Sequence, residues 1–582
     1  MKTHFNDRNG QQKNYWLIIV LLFIVSFIAG IIGFRRYFVI NEIDHDLWRS
    51  LYCTLQLYVL KSGDVEGFVP VGLQLARFIA PLASALAIIL TLFEIFREQW
   101  NNWMISRMKN HVVIIGFGSK GKNIMDEYLE KGKWVLIIEQ DPANPNLGFT
   151  HARRCRLMIG DGTNASTLSK ANITKADFCY LLLGEDSMQV KACLEIYKMI
   201  IESGRDRAKP LNCVMHLNKQ EFLSTMKENE LVRDQTDAFN LTIFNVYENS
   251  SRHLFMKYPP DREGLPADSG FFVQMIIFGF GLAGEALALQ TALTGQYANK
   301  KKSHVVIFDR SAKVKVPDFL ERYPTFTEYC DLEYDNMEAD SPQLVSHLVK
   351  YLRRPLALTS VVFCFDSESQ NLLLGLQLKN MNLEDLIKPI HVFVRTKNTA
   401  HFTTLPQSIN PYGLPSQVCN GDVIFGELLD KKARAIQQIY YQRRQSEADF
   451  GSGNADVPWE QLGIEFRESN RKVADHIGVK VRAIGCDVVC IEDPGECTVF
   501  TKEEIELLAE LEHRRWCAER SLAGWTKGPI RDKVARITPF LIDWNDPELD
   551  ESVKDYDRDS VISIPSILKL AGEKAIRRNL KS

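Results

Sequence analysis

The sequence predicts a multidomain membrane protein: two membrane-crossing helices, then two α/β units built on parallel strands, then a small, mainly helical domain. Three observations carry this. Residues Tyr15 to Phe34 run for twenty positions without a charge. Between Val112 and Asp141 a strand, a glycine-rich turn, a helix and a second strand follow one another. The same order of glycine loop, acid, acidic strand end and further strand returns with a shift of roughly 160 to 180 residues.

At 582 residues the chain is too long for one core. Its net charge of −3 offers no whole-protein attraction for nucleic acid, so no nucleic-acid partner is expected. Twelve cysteines are scattered through it, several in apolar strands (Cys179, Cys213, Cys364), as in a reducing interior. Cys486, Cys490 and Cys497 cluster, but their spacing fits no paired CxxC zinc pattern, and no metal is expected.

The first apolar run is long enough to cross about 30 Å of hydrocarbon as a helix. A cleaved signal peptide would be shorter and followed by small residues; Arg35, Arg36 and Tyr37 follow instead. A second run, Phe68 to Phe93, carries only Arg77, either a functional charge or a snorkelling one. These place spans at about 15–35 and 68–96 in a module of residues 1–97. Two spans put both termini on one side, the cytoplasmic side of a bacterial inner membrane, since the long α/β portion lies there. Lys2, Arg8 and Lys13 are balanced by Arg35 and Arg36, so the positive residues do not decide orientation. Within 46–62, Leu51, Leu55 and Tyr58 recur at helical spacing. Span, short helix and span is the plan of a two-helix pore subunit, usually a tetramer; a hairpin anchor with an interfacial helix is the alternative. No TVGYG-like filter lies between Val59 and Pro70. Glu98 to Asn110 reads as a short polar connector.

Val112 to Ile115 is a short β-branched strand, Asn123 to Glu130 a helix, and Trp134 to Ile138 a second strand ending in Glu139. Between them GFGSKG supplies Gly116, Gly118 and Gly121: one for the tight turn, one for backbone approach to a pyrophosphate, one for close helix packing. The helix N-terminus then faces the anion, and Ser119 and Lys120 permit phosphate contacts. Glu139 stands where an acid accepts from ribose hydroxyls. This is a Rossmann-type unit, with an occupied nucleotide site or, as the alternative, an interaction scaffold.

With GDGT at Gly160 to Thr163 and a strand ending in Glu185 and Asp186, residues 98–260 resemble the RCK domain, the cytoplasmic regulator of potassium channels and transporters. That resemblance implies a regulatory ligand, NAD(H) or another adenine nucleotide, over Gly116, Gly118, Ser119 and Gly121, with Glu139 on the ribose and Asp161 and Gly162 lining the site. Residues 270–445 repeat the pattern, with MIIFGFGLAG supplying Gly279, Gly281 and Gly284, a strand ending at Asp309, and VVFCFDSESQ around Asp366. The second copy has EYDNMEAD in place of GDGT, so ligand binding is expected first in the first copy. Each copy is expected to end in a helix, ENSSRHLFMKY and ELLDKKARAIQQIYYQRR.

SEADFGSGNAD at Ser446 to Asp456 reads as a linker opening a region of residues 446–500, helical with a polar break at Ser469, Asn470 and Arg471. Residues 501–575 resemble the RyR domain, a helical repeat of ryanodine receptors, through His513, Trp516, Gly524, Trp525, Gly528, Pro529, Pro539, Tyr556, Asp557 and Arg558. Thr538 departs from the family's histidine. Trp516, Trp525 and Tyr556 with Arg514, Arg515, Arg531 and Arg558 are expected to form an aromatic and basic pocket for a nucleotide; the alternative is a tryptophan core under a wet arginine surface. No serine–histidine–carboxylate set, metal motif or Walker lysine loop is present, so no enzyme is expected. The reading is a nucleotide-gated ion channel, potassium-channel-like or non-selective, acting as a homo-oligomer. A membrane-anchored nucleotide sensor of a signalling or antiviral pathway, without conduction, is the alternative.

Overall fold

The computed structural model describes residues 5–44, 46–61, 65, 67–218, 238–338, 341, 344–380, 389–396, 409–419, 421, 429–445 and 455–578. Most of the expected linker at 446–454 lies outside the described residues, as do parts of the segment between Val59 and Pro70.

The chain opens with α1 (Phe5–Ile40), α2 (Leu47–Leu57) and α3 (Val71–Ser106). Trp16–Ile40 and Val71–Leu92 are long and apolar enough to cross a membrane. Missing side chains bring the three helices together: a Cβ on Gly30 would meet Thr54 of α2, and one on Gly33 would meet the backbone of Leu73 on α3, each at under 3.0 Å. At the end of α2 the Tyr58 hydroxyl donates to the Phe23 carbonyl (2.8 Å) and shares a hydrogen bond with Ser26 Oγ (2.8 Å). By Phe68 the chain is back beside Asn41, whose Nδ2 donates to the Phe68 carbonyl (3.3 Å). The short helix therefore dips from one end of α1 to its middle, and the chain after it returns to the same end. Arg77 sits in the second turn of α3, reaching Gln74 Oε1 at 3.4 Å. Glu98 to Ser106, expected as a connector, is the last part of α3 itself, because its apolar turn is buried in the next domain.

The first α/β unit runs β1 (Val112–Ile115), α4 (Ser119–Glu130), β2 (Val135–Glu139), β3 (Cys155–Ile159), α5 (Ala165–Lys170), β4 (Phe178–Leu181), α6 (Asp186–Glu202), β5 (Leu211–His216), β6 (Phe239–Phe244) and α7 (Val246–Lys257). Its parallel sheet has the order β3-β2-β1-β4-β5-β6. The second unit runs β7 (Phe272–Phe278), α8 (Leu282–Thr294), β8 (Ser303–Asp309), α9 (Ala312–Arg322), α10 (Phe326–Tyr329), β9 (Cys330–Asn336), α11 (Leu344–Leu352), β10 (Ala357–Phe363), α12 (Glu368–Lys379), β11 (His391–Arg395), β12 (Ile409–Tyr412) and α13 (Pro415–Val418). Its order, β12-β11-β10-β7-β8-β9, is the same topology, so the repeat seen in the sequence is a structural one. Near-continuous burial of β1, β2, β7 and β8 is what parallel strands covered on both faces require.

The two units exchange their closing segments. Helix α7 leaves the first sheet and packs on α8, placing Leu254 and Phe255 in the second unit's core. The segment after the second sheet returns the contact, α13 packing on α4 with Val418 and Cys419 in the first unit's core and Gly421 N donating to Glu127 (2.8 Å).

The C-terminal region comprises α14 (Lys431–Arg444), α15 (Ile464–Ala483), β13 (Cys486–Cys490), α16 (Lys502–Leu522), β14 (Thr526–Lys527), β15 (Ile537–Thr538), α17 (Glu551–Ile562), α18 (Ile564–Leu570) and β16 (Glu573–Arg577). Three expectations change here. The helix expected to close the second unit, α14, packs instead on α15 and α18, since α13 already fills that closing role. The expected polar break at 469–471 is continuous helix, because Arg471 pairs with Asp430 (2.5 Å) and Asn470 Nδ2 donates to Gln437 (3.1 Å). The described part of 446–500 is packed on its neighbours: Asp456, at the end of the expected linker, is buried against Arg444 (3.1 Å), and β13 pairs antiparallel with β16 of the last domain. Helix α16 starts at a capping box of Thr501 and Glu504, legible as T-x-x-E.

Candidate functional site

At the first glycine loop the backbone decides what is possible. Gly116 has φ +88° and lies against the Leu182 carbonyl, so a side chain is excluded twice. Gly121 is held under the Gly116 carbonyl. Gly118, the N-cap of α4, has open space where its Cβ would be, and no side chain caps the helix. The first-turn N–H groups around Ser119 are thus left for an incoming acceptor.

Glu139 lies beside them. One carboxylate oxygen accepts from Phe117 N (2.8 Å) and Asn144 Nδ2 (2.9 Å), the other from Gln140 N (2.8 Å) and Asp141 N (3.0 Å). Burial opposes its charge, but these bonds outweigh it and hold the carboxyl below the usual carboxylate range. Among the described residues no cation pairs with Glu139. Asp161 is locked in a turn, accepting from Thr163 N (2.8 Å) and Oγ1 (2.9 Å), which lowers its pKa. A Cβ on Gly162 would overlap Ile115 Cγ2 at the end of β1, so the GDGT turn is pressed against the strand that feeds the glycine loop. Gly116, Gly118, Gly121, Glu139, Asp161 and Gly162 thus lie together at the C-terminal edge of the first sheet. The sequence did not reveal His216, whose Nε2 stands 3.0 Å from Lys120 Nζ. Burial and Lys120 keep that imidazole neutral, leaving it an acceptor that draws the lysine toward the crevice. Only strand register, which puts His216 one row beyond Leu181, could have found it.

The second glycine loop keeps the backbone and changes the chemistry. Gly279 has φ +91°, Gly281 is open, and Gly284 lies under the Gly279 carbonyl. Asp309 accepts from Phe280 N (2.8 Å) and Ser311 N (2.8 Å), like Glu139, but Lys315 Nζ also clamps it at 2.7 Å. Asp309, a cofactor-binding candidate with Gly279, Gly281 and Gly284, is thus already paired with a cation, as Glu139 is not. Where the first loop offers Ser119 and Lys120, the second has Leu282 and Ala283.

In the last domain His513 is buried, with Nδ1 on Asp557 (3.1 Å) and Nε2 on the Ile542 carbonyl (3.0 Å). Trp516 stacks on it at 5.9 Å, and Trp544, which the sequence reading missed, lies 5.7 Å away. Lys554 and Arg558 both sit over Trp544 at 5.7 Å. Arg520 spans Trp516 and Trp525. The rest of the expected pocket is not assembled here. Arg515 is fully buried between Glu512 and Glu519, Arg514 donates to the Tyr297 carbonyl of the second unit, and Arg531 and Tyr556 are exposed. Arg558 is held by Glu506, Glu551 and Asp555. Trp525 and Trp544 are buried, Trp516 is half-buried, and Arg514 reaches across to the second unit.

Two acceptors on its two ring nitrogens make His513 a double donor. Burial opposes the charge, but the bonds to Asp557 and Cys517 raise its pKa to about 10. Its stabilisation is fully present below the unfolded value near 6.5 and is lost as pH rises toward about 10. Thermal unfolding of the full chain should therefore weaken between those pH values, and His513→Gln should flatten that slope; an equally steep slope in the variant would assign it elsewhere.

Residues 112–209 match the TrkA-N domain family, and residues 499–573 match the RyR domain family. No curated protein matches the chain. Among solved structures, GsuK bound to ADP is similar at 14% identity, covering 72% of this chain and 98% of that one, with a TM-score of 0.38. The GsuK channel bound to NAD is similar at 11% identity over 74% and 85% of the two chains, TM-score 0.38. The human SLO3 gating ring is similar at 8% identity over 66% and 88%, TM-score 0.36.

Proposed function

We propose that the chain is a ligand-gated ion channel of a bacterial inner membrane, a homo-oligomer, as a tetramer, whose gate is biased by NAD(H) or another adenine nucleotide at the first glycine loop. The observation that supports it most is α3. One helix runs from the candidate span into the first unit, where Ile105 is part of the core, Asn101 Nδ2 donates to the Leu157 carbonyl on β3 (3.0 Å), and Asn172 Nδ2 donates to the Ser106 (3.2 Å) and Met108 (2.7 Å) carbonyls. Strand β3 leads directly to Asp161 and Gly162. A ligand that repositions the GDGT turn therefore acts on the strand to which the span is bolted. The α2 dip and return supply the plan of a pore subunit, and Leu17, Leu21, Ile24 and Ile28, all exposed on α1, supply an apolar stripe for lipid or another copy.

Gating needs the ligand to bind open and closed assemblies unequally, about 1 to 3 kcal/mol of coupling being usual. The ligand is read here as a regulator and not as a reactant, as the resemblance to the RCK domain implies. Ion flux into liposomes carrying the purified protein tests the reading. ADP or NAD is expected to change the flux several-fold, and Gly118→Trp, which fills the open space at the α4 N-terminus, should abolish that response. Protein that binds nucleotide but never conducts would instead be a membrane-anchored sensor.

A further inference from the structure

The first α/β unit is polarised along its strands. The turns that enter β1 to β5, residues 107–111, 131–134, 152–154, 170–177 and 202–210, hold eleven lysines and arginines and three aspartates and glutamates. The turns that leave those strands, residues 116–118, 140–144, 160–164, 182–185 and 217–218, hold Asp141, Asp161 and Glu185 and no lysine or arginine. The sheet order β3-β2-β1-β4-β5 sets the five entering turns side by side, a rim about 19 Å long at roughly 4.8 Å per strand. Arg107, Lys109, Arg153, Arg154, Lys175 and Lys209 on this rim are exposed. Eleven against three is a local charge of +8 in a chain whose net charge is −3.

The rim is held away from the bilayer. The chain crosses the sheet face from Asn101 on α3, bonded to the Leu157 carbonyl within β3, to Asn110, whose N–H donates to the Lys175 carbonyl at the rim (2.9 Å). The candidate span closes at Leu92, and the rest of α3 to Ser106 rises about 21 Å beyond it. Headgroups extend about 5–7 Å past the hydrocarbon, and charge is screened over about 8 Å at physiological salt. Anionic lipid is therefore out of reach of the rim.

The chain carries its own counterpart. Residues 543–559, the loop before α17 and most of that helix, hold eight aspartates and glutamates against Lys554 and Arg558. Asp543, Glu548, Asp555 and Asp559 are exposed. Asp546 and Asp550 accept from Glu548 N (2.9 Å) and Ser552 N (2.8 Å) in their own turns, which orients them without neutralising them. Lys527 meets Glu548 and Arg558 meets Asp555, but at the surface, where such pairs are weak. Helix α17 is 12 residues long, about 18 Å, which matches the rim. The segment is fixed in place by α16 and by Trp544 and Leu549 in the core of the last domain. The acids of β9 are already spent, since Asp331, Glu333 and Asp335 hold His304, Arg354 and His347.

We propose that the basic rim of the first unit docks the acidic face of a second copy's last domain, residues 543–559. Two rims repel each other, so the contact is head-to-tail: each copy offers one rim and one acidic face, and the chain of contacts ends only by closing into a ring. Opposed potentials of this kind fix partner and orientation more than they add affinity, and they weaken with salt. The inference rests on the homo-oligomer of the proposed function and on neither conduction nor nucleotide binding.

Carbodiimide, which joins a lysine to a carboxylate in contact with it, tests this on the detergent-purified full chain. After separation on a denaturing gel, peptides joining Lys109, Lys175 or Lys209 to 543–559 are expected in the dimer band and not in the monomer band. Their yield should fall several-fold in about 0.5 M sodium chloride. Arg153→Glu with Lys209→Glu should lower it several-fold as well, and adding Glu548→Lys and Asp559→Lys should restore it; all four residues are exposed, so their exchange leaves the cores intact. Light scattering of the same sample reads the mass. A mass above one chain without such peptides overturns this contact and leaves the oligomer standing, whereas the mass of one chain overturns both. Nucleic acid that copurifies with the protein and is released by Arg153→Glu with Lys209→Glu assigns the rim to a polyanion and overturns the proposal too.

Discussion

Arg252→Ala is expected to lower the unfolding temperature of the detergent-purified protein by roughly 10 °C, about 3–5 kcal/mol of lost stability. Arg252 comes from α7 and its side chain is 4% exposed. Its Nη1 meets Asp430 at 3.1 Å, and its Nε and Nη2 meet Asp475 at 2.8 and 3.0 Å. Asp475 also receives Gln290 of α8, and Asp430 also receives Arg471 of α15. Both α/β units and the C-terminal region thus meet at one buried guanidinium. Among the described residues, removing it leaves Asp475 with no cation and Asp430 with one, which is costlier than never having had the pair. Arg252→Met combined with Asp475→Asn should recover most of the loss, since an apolar and neutral replacement leaves no orphaned charge. A single variant shifted by less than about 2 °C would show that the junction carries little of the stability.

Inserting four glycines between Gln99 and Trp100 is expected to abolish nucleotide-dependent flux while leaving nucleotide-induced thermal stabilisation unchanged. The membrane end of α3 and the part bolted to β3 are one rigid rod, so a displacement of Asn101 is delivered to the span undiminished. A flexible tetraglycine absorbs it, because a random coil of that length spans about 11 Å with no fixed direction. Basal flux should persist at the level of the nucleotide-free protein. Retained ligand dependence after the insertion would move the coupling path away from α3.

How much of this could be read from the letters depends on how local each feature is. The strand, GFGSKG turn and helix lie within thirty residues and declare themselves, because three glycines answer to three separate steric demands that neighbouring backbone imposes. Glu139 and Asp309 were equally legible as acids ending strands. Their difference was not, since it turns on Lys315, whose place on the first turn of α9 becomes meaningful only once that turn is folded over β8. The repeat was visible in order, yet not the exchange of α7 and α13, because α7 reads as a helix whichever sheet it covers and α13 is only four residues long. Arg515 shows the same limit in the last domain. A tryptophan- and arginine-rich helix reads as a pocket wall, but Glu512 and Glu519, three positions before and four after Arg515, turn that arginine inward. Trp544 escaped notice because it lies in a loop without periodicity.

The tandem arrangement also fixes composition. Because both α/β units lie on one polypeptide, the two unlike crevices are made in equal number with every chain synthesised, whatever the expression level. No choice of partner, dilution or competing subunit can yield an assembly rich in one and poor in the other. Any response that compares the two signals therefore starts from a ratio set at translation.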